Sequence, residues 1–148
     1  METKIPPPLV TLVFALSIYF SRGMFPAVEA QYSSYFGIFL LLLGFFILIS
    51  AVRLFRKDKT TVNPLSPEQA TTLVTDGIFK YSRNPMYLGM ALVLSSIAVF
   101  FNIIGGIILV ALFCAYITKF QILPEERAMR DLFSDDFDKY TKVTRRWI

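Results

Sequence analysis

Phe39-Leu40-Leu41-Leu42-Leu43-Gly44-Phe45-Phe46-Ile47-Leu48-Ile49 is the stretch that decides how this chain folds. It has no charge and no polar side chain. Extended outward to Tyr35 and Leu54, it reaches the roughly 20 residues that take a helix across a bilayer. Three more apolar stretches stand around it, from about Leu9 to Ser21, Met86 to Phe101 and Ile103 to Leu123. The first and third lie near the lower end of the roughly 17–25 residues a spanning helix uses, so tilting or flanking snorkelling is expected there. Asn102 and Gly105-Gly106 join the last two with no charge between them, which predicts a tight helical hairpin turning at the far membrane face.

Composition agrees. The chain has 148 residues, 55% hydrophobic and 18% charged, against about half apolar and a quarter charged in soluble domains. The charges avoid the apolar stretches and crowd into two others, as in membrane spans separated by wet segments. The expected fold class is all-α: a polytopic membrane protein of about four transmembrane helices, with a C-terminal helical hairpin and a cytoplasmic amphipathic helix. It reads as one membrane domain, 1–148. Residues 1–56 hold the first two spans, 57–85 a cytoplasmic connector, 86–123 the hairpin and 124–148 a C-terminal helix and tail. The N-terminal stretch ends in Ser21-Arg22-Gly23-Met24, a poor match to a small-x-small cleavage site, and is read as a retained span.

Orientation follows from Lys and Arg. Arg53, Arg56, Lys57, Lys59, Lys80 and Arg83 flank the connector, and Arg127, Arg130, Lys139, Lys142, Arg145 and Arg146 occupy the tail. The loop between the first two spans has only Arg22. Both basic segments, both termini and any site built on those segments are therefore expected on the cytoplasmic side; bacterial inner membrane and endoplasmic reticulum fit equally. Asn63-Pro64, Ser66-Pro67 and Thr75-Asp76-Gly77 mark turns in the connector. In the tail, Met129, Leu132, Phe133, Phe137 and Tyr140 recur every three to four residues, the pattern of an amphipathic helix starting at Pro124. The net charge of +4 is explained by these loops, so no nucleic-acid partner is expected. Cys114 is the single cysteine and there is no histidine. Disulfide and zinc frameworks are thereby excluded, the usual general base is missing, and no metal is expected.

Two motifs are left to bear chemistry. In Arg83-Asn84-Pro85-Met86-Tyr87-Leu88-Gly89, Asn is a preferred N-cap and Pro suits the first helical position. The helix N-terminus offers free N–H groups to a carboxylate, and Gly89 lets another group approach the backbone. The same residues also serve as a plain span start, with Arg83 snorkelling and Tyr81 and Tyr87 at the interface. In Pro124-Glu125-Glu126-Arg127, two carboxylates follow the fourth span. They either complement a helix dipole or bind a cationic or hydroxyl-bearing ligand. A hairpin of spans three and four makes the two motifs neighbours.

At these residues the chain resembles the membrane methyltransferases that include isoprenylcysteine carboxyl methyltransferase and the phospholipid N-methyltransferases. That family's pattern is Arg-His-Pro-x-Tyr-x-Gly, a hydrophobic hairpin, Glu-Glu-x-x-Leu, then Phe and Tyr and a basic, aromatic end. The counterparts are Arg83 to Gly89, Glu125-Glu126-Arg127-Ala128-Met129, Phe133, Phe137, Tyr140 and Arg146-Trp147-Ile148, with Leu73 to Gly77 leading in. The resemblance runs from about Asn63 to Ile148. Asn84 replaces His, keeping hydrogen bonding but losing titration; Met129 replaces Leu; Arg145 stands where Pro is usual.

The resemblance implies methyl transfer from S-adenosylmethionine to a membrane-embedded acceptor, most like isoprenylcysteine carboxyl O-methylation, with a phospholipid amine as the alternative. It implies a lipid-like or prenylated acceptor arriving from the bilayer, with membrane lipids as surroundings. Cofactor-binding residues would be Tyr81, Arg83, Asn84, Pro85, Tyr87, Leu88, Gly89, Glu125 and Glu126. Arg146 and Glu126 would be catalytic, and Arg145, Arg146 and Tyr140 would face the acceptor. A carboxylate or thiolate acceptor needs no base, since the sulfonium methyl is already activated; an amine does, and Glu125 or Glu126 is the candidate. Two other readings stay open. An NADPH-dependent sterol reductase has a similar C-terminal region, although Met86 stands at its Asn and no carboxylate follows Gly89. A non-catalytic membrane scaffold is left open by Asn84.

Overall fold

The computed structural model describes residues 5–26, 33–58 and 69–148, and every regular element among them is helical. The connector turns at Asn63-Pro64 and Ser66-Pro67, together with Lys59, lie outside the described residues. Helix α1 (Pro7–Phe20) opens on a proline, whose missing N–H costs nothing at a helix start. It runs on as a 3₁₀ turn, Ser21–Met24. Helix α2 (Ser33–Lys57) has 25 residues, α3 (Pro85–Phe101) has 17 and α4 is Ile103–Ile117. Pro7–Met24, Ser33–Lys57 and the continuous run Ile103–Val143 are long and apolar enough to cross a membrane; α3 is apolar but shorter. The four apolar stretches of the sequence thus appear as four helices, three of them of full spanning length.

Helix α3 is the centre. Helix α2 packs along one side of it, while α1 and α4 pack on it and on each other. Leu94 and Ser96 of α3 are fully buried, and Ser96 Oγ donates to the Gly37 carbonyl of α2 at 2.8 Å. Small residues set the spacing. A Cβ on Gly89 would lie 2.8 Å from the Gly44 carbonyl oxygen and 2.7 Å from Leu48 Cγ, so α2 and α3 meet backbone to backbone. The outward faces are apolar: Leu12 and Leu16 on α1, Phe39, Leu42 and Phe46 on α2, and Ile107 and Leu112 on α4 are all exposed. Asn102 alone separates α3 from α4. Its side chain accepts from Gly105 N–H at 3.0 Å and donates to Ser21 Oγ at 3.1 Å, so the expected tight hairpin is capped and tied to α1 by one residue.

The expected break at Pro124 is not there. Thr118–Ile122 forms a π turn and passes directly into α5 (Leu123–Val143), with Leu123 N–H donating to the Thr118 carbonyl. The wider turn accommodates a proline ring that would otherwise meet the carbonyl four residues back. Nor is the tail one straight amphipathic helix. At Ser134 the backbone leaves helical geometry, φ 41° and ψ −113°, and the chain doubles back. Arg130 Nε reaches Asp138 Oδ1 at 3.0 Å, whereas eight residues of straight helix span about 12 Å. Phe137 and Tyr140 are buried with Ala51, Val74 and Phe79, and Met129 and Phe133 pack on them. Leu132, expected on the same face, is exposed.

Candidate active site

The reversal at Ser134 builds the site at the end of the bundle opposite Asn102. Gly77, at φ +56°, makes the turn that Asp76-Gly77 announces, and the 3₁₀ turn Gly77–Lys80 leads to the tip of α3. Tyr140 Oη donates to the Phe79 carbonyl at 2.6 Å. Beyond it, residues 144–147 lie as a strap along residues 80–84. Arg83 N–H donates to the Arg145 carbonyl at 3.0 Å, and Asn84 Nδ2 donates to the Arg146 carbonyl at 3.0 Å. Trp147 Nε1 donates to Thr118 Oγ1 at 3.2 Å. Asn84 does precede α3, and Pro85 opens it, but the Asn84 side chain holds the strap and makes no cap hydrogen bond.

The charged centre is Glu126. Its Oε1 accepts from Arg83 Nη2 at 2.8 Å and Arg146 Nε at 2.9 Å, and its Oε2 accepts from Arg146 Nη2 at 2.7 Å. Burial opposes its ionisation, but the hydrogen bonds from Arg146 and Arg83 outweigh it and hold the carboxyl below its ordinary range. The same bonds push the Arg146 guanidinium up. Glu125, its neighbour in sequence, faces Tyr87, whose hydroxyl donates to Glu125 Oε1. Burial pushes this carboxyl up to about 7; the Tyr87 hydrogen bond opposes the rise and the Glu126 charge adds to it. Arg83 gives its two terminal nitrogens to Glu126 and to the Thr144 and Thr141 carbonyls. Its Nε is buried and has no partner among the described residues.

Of these groups, Arg83, Tyr87, Glu125 and Glu126 line a cavity of about 240 Å³. Met86 and Met90 of α3, Phe55 of α2, Pro7 and Pro8 of α1, and Leu73 and Val74 of the connector supply apolar walls. Of the residues singled out in the sequence, Arg83, Asn84, Pro85, Tyr87, Glu125, Glu126 and Tyr140 line it. Others are placed elsewhere. Tyr81 is exposed and away from the cavity. Gly89 does admit a close neighbour, but that neighbour is α2; Leu88 is half-buried beside it, off the cavity. Arg145 contributes its carbonyl while its side chain is exposed. Arg146 is engaged by Glu126, so its guanidinium acts on a carboxylate of the protein itself. The contributions of Ser82, Thr144, Phe55 and the Pro7-Pro8 pair were not read from sequence. They depend on long-range returns of the chain, which no local pattern signals.

A helical bundle with an apolar exterior, holding carboxylates and guanidiniums over an apolar cavity at one end, defines an all-helical membrane protein. The chain matches the family model described as phospholipid methyltransferase over residues 32–136 and belongs to that family. It is, at that level, a membrane methyltransferase. The matched stretch covers α2 through the reversal at Ser134 and stops short of the strap. No curated protein and no solved structure matches the chain.

Proposed function

We propose that this chain transfers the methyl group of S-adenosylmethionine to an acceptor embedded in the membrane, with the reaction centred on the cavity between Arg83, Tyr87, Glu125 and the apolar walls. The observation that supports this most directly is the meeting of two motifs distant in sequence, Arg83–Tyr87 and Glu125-Glu126, around one cavity in a chain of the phospholipid methyltransferase family. The donor set fits the cofactor. The Arg83 Nε–H, without a partner among the described residues, suits its carboxylate, the Glu125 side suits a cation, and Met86, Met90 and Phe55 offer apolar surface. Bound there, the cofactor supplies an activated methyl on a sulfonium, so the protein's task is alignment of the acceptor at near-attack distance. Glu126 serves by fixing Arg83 and the strap. Family membership favours a phospholipid over a prenylated cysteine as acceptor. The basic connector and tail argue for a cytoplasmic site.

The test is thermal unfolding of purified protein in detergent with S-adenosylhomocysteine and, separately, NADPH. A ligand that binds only the folded state raises the melting temperature. Stabilisation by S-adenosylhomocysteine and none by NADPH is the expected result. The reverse supports the reductase reading, and no response to either supports a non-catalytic scaffold.

A further inference from the structure

The strap is fastened by its backbone carbonyls, by Arg146 on Glu126 and by Trp147 on Thr118. Its other side chains are left over. Lys142 and Arg145 are exposed, and neither takes part in an ion pair among the described residues. Lys80 lies beside them, its carbonyl accepting from Thr144 Oγ1, and its acid partner Asp76 is itself exposed. Apolar and aromatic side chains are interleaved with these cations. Tyr81, Val143 and Ile148 are 75%, 80% and 74% exposed, which is costly for such residues if they face only water. Charge is sorted along the same part of the chain. Asp131, Asp135, Asp136 and Asp138 crowd the reversal at Ser134, whereas Lys139 to Ile148 holds four cations and no acid.

The depth of this face in the bundle is fixed by the spans. The exposed apolar side of α2 gives way to exposed Arg53, Arg56 and Lys57, and that of α4 to exposed Lys119. Trp147 is bonded to Thr118, next to Lys119, and the strap crosses the residues just before Pro85, where α3 begins. The strap therefore lies where three helices meet their first charges, the layer of lipid phosphates, in which tryptophan and tyrosine collect.

We propose that the face formed by Lys80, Tyr81, Lys142, Val143, Arg145 and Ile148 is a docking surface for the headgroups of anionic phospholipids. The cations meet the phosphates and the acidic headgroups, while Val143 and Ile148 enter the acyl boundary beside them. The sorting of charge turns the acidic reversal away from the lipid and the basic strap towards it. A lipid on the Arg145 side chain grips the strap from outside, and the Arg145 carbonyl and Arg146 guanidinium grip Arg83 and Glu126 from inside. Lipid charge thus holds closed the lattice at the end of the cavity. The proposal is independent of the reaction the cavity performs.

Trp147 is the single tryptophan of the chain and lies in the strap, so its fluorescence reads this face directly. The full chain is placed in nanodiscs of phosphatidylcholine with a fixed minority of phosphatidylglycerol. Brominated acyl chains, which quench at short range, are carried either by the phosphatidylglycerol or by an equal amount of the phosphatidylcholine. Wild type should be quenched more by the anionic label, corresponding to about fivefold or greater enrichment around Trp147, the effect of one basic residue at a charged surface. The excess should fall away in about 1 M salt, where charges are screened within about 3 Å. It should be lost in the double variant Lys142→Gln, Arg145→Gln and kept in Lys142→Arg, Arg145→Lys, which preserves charge. Arg130→Gln with Lys139→Gln removes the same net charge from cations already paired with Asp138 and Asp136, and should keep the excess. Equal quenching by both labels in wild type overturns the proposal, as does an excess that survives in the Lys142→Gln, Arg145→Gln variant. Emission that follows protein concentration and ignores lipid charge assigns the face to a second copy of the chain and overturns it too.

Discussion

Glu126→Gln replaces one carboxylate oxygen by an amide and leaves Arg83 and Arg146 facing each other without their shared counterion. Removing one member of a buried ion pair costs about 3–5 kcal/mol, because the remaining charge stays out of water. That figure applies to Arg83, whose side chain is 11% exposed; Arg146 is 37% exposed, and water screens its share. The expected loss is therefore about 2–4 kcal/mol, a fall of roughly 5–15 °C in melting temperature for a chain of this size. Glu125→Gln should behave in the opposite sense. The folded protein holds this carboxyl at about 7, above its ordinary 4.5. Its contribution to stability is complete below 4.5 and declines as pH rises through 7. At pH 8 glutamine relieves a buried carboxylate and should leave the melting temperature unchanged or higher. For Glu126, held low, the contribution is present above the ordinary carboxyl value and lost as pH falls through the depressed one. The Glu126→Gln deficit should therefore shrink in acid. The assay is thermal unfolding of both apo variants in detergent at pH 8, pH 5 and about pH 3, read against wild type, with the Glu126→Gln deficit shrinking only at the lowest pH. Equal shifts of the same sign in both variants would refute the division drawn between these neighbours.

Ser134→Gly should raise stability by about 1 kcal/mol, since Ser134 sits at φ 41° and glycine adopts such a conformation without strain; a lower melting temperature would contradict the reversal there. Gly89→Val should destabilise by about 1–3 kcal/mol, because the new side chain meets the Gly44 carbonyl and Leu48. An unchanged melting temperature would mean that α2 and α3 are further apart than described. Cysteines placed at Ser134 and at Ser33 should react with an impermeant reagent from opposite sides of the membrane, Ser134 from the cytoplasm. Labelling from one side would sink the four-span arrangement.

What was legible in the sequence was whatever is written locally. Four apolar runs became four helices because lipid leaves a backbone no other way to pair its polar groups. Asn102 and the two glycines after it marked the hairpin turn, and Asp76-Gly77 marked a positive-φ turn. The nearness of Arg83 to Glu126 followed from the hairpin. What could not be read was the reversal at Ser134. Leu132-Phe133-Ser134-Asp135-Asp136 contains neither Gly nor Pro, and its period suits a continuing helix. Without that reversal Arg146 would lie about 30 Å along a straight helix from Glu126, and its pairing with this carboxylate had no visible cause. The separate fates of Glu125 and Glu126 were hidden for the same reason. Periodicity placed both beside the buried stripe, and only the returning strap decides which one receives the guanidiniums.

The contact of Gly44 with Gly89 bears on how the bundle moves. Where side chains interleave, helices can slide by repacking rotamers. Here a carbonyl of one helix lies against the other helix's backbone, with no soft layer between. Helices α2 and α3 therefore form one stiff body that shear cannot deform cheaply. Any widening of the cavity to take in a bulky molecule must therefore come from the other walls, the N-terminal turn of α1 at Pro7-Pro8 and the connector at Leu73-Val74, and not from the tip of α3 with Tyr87.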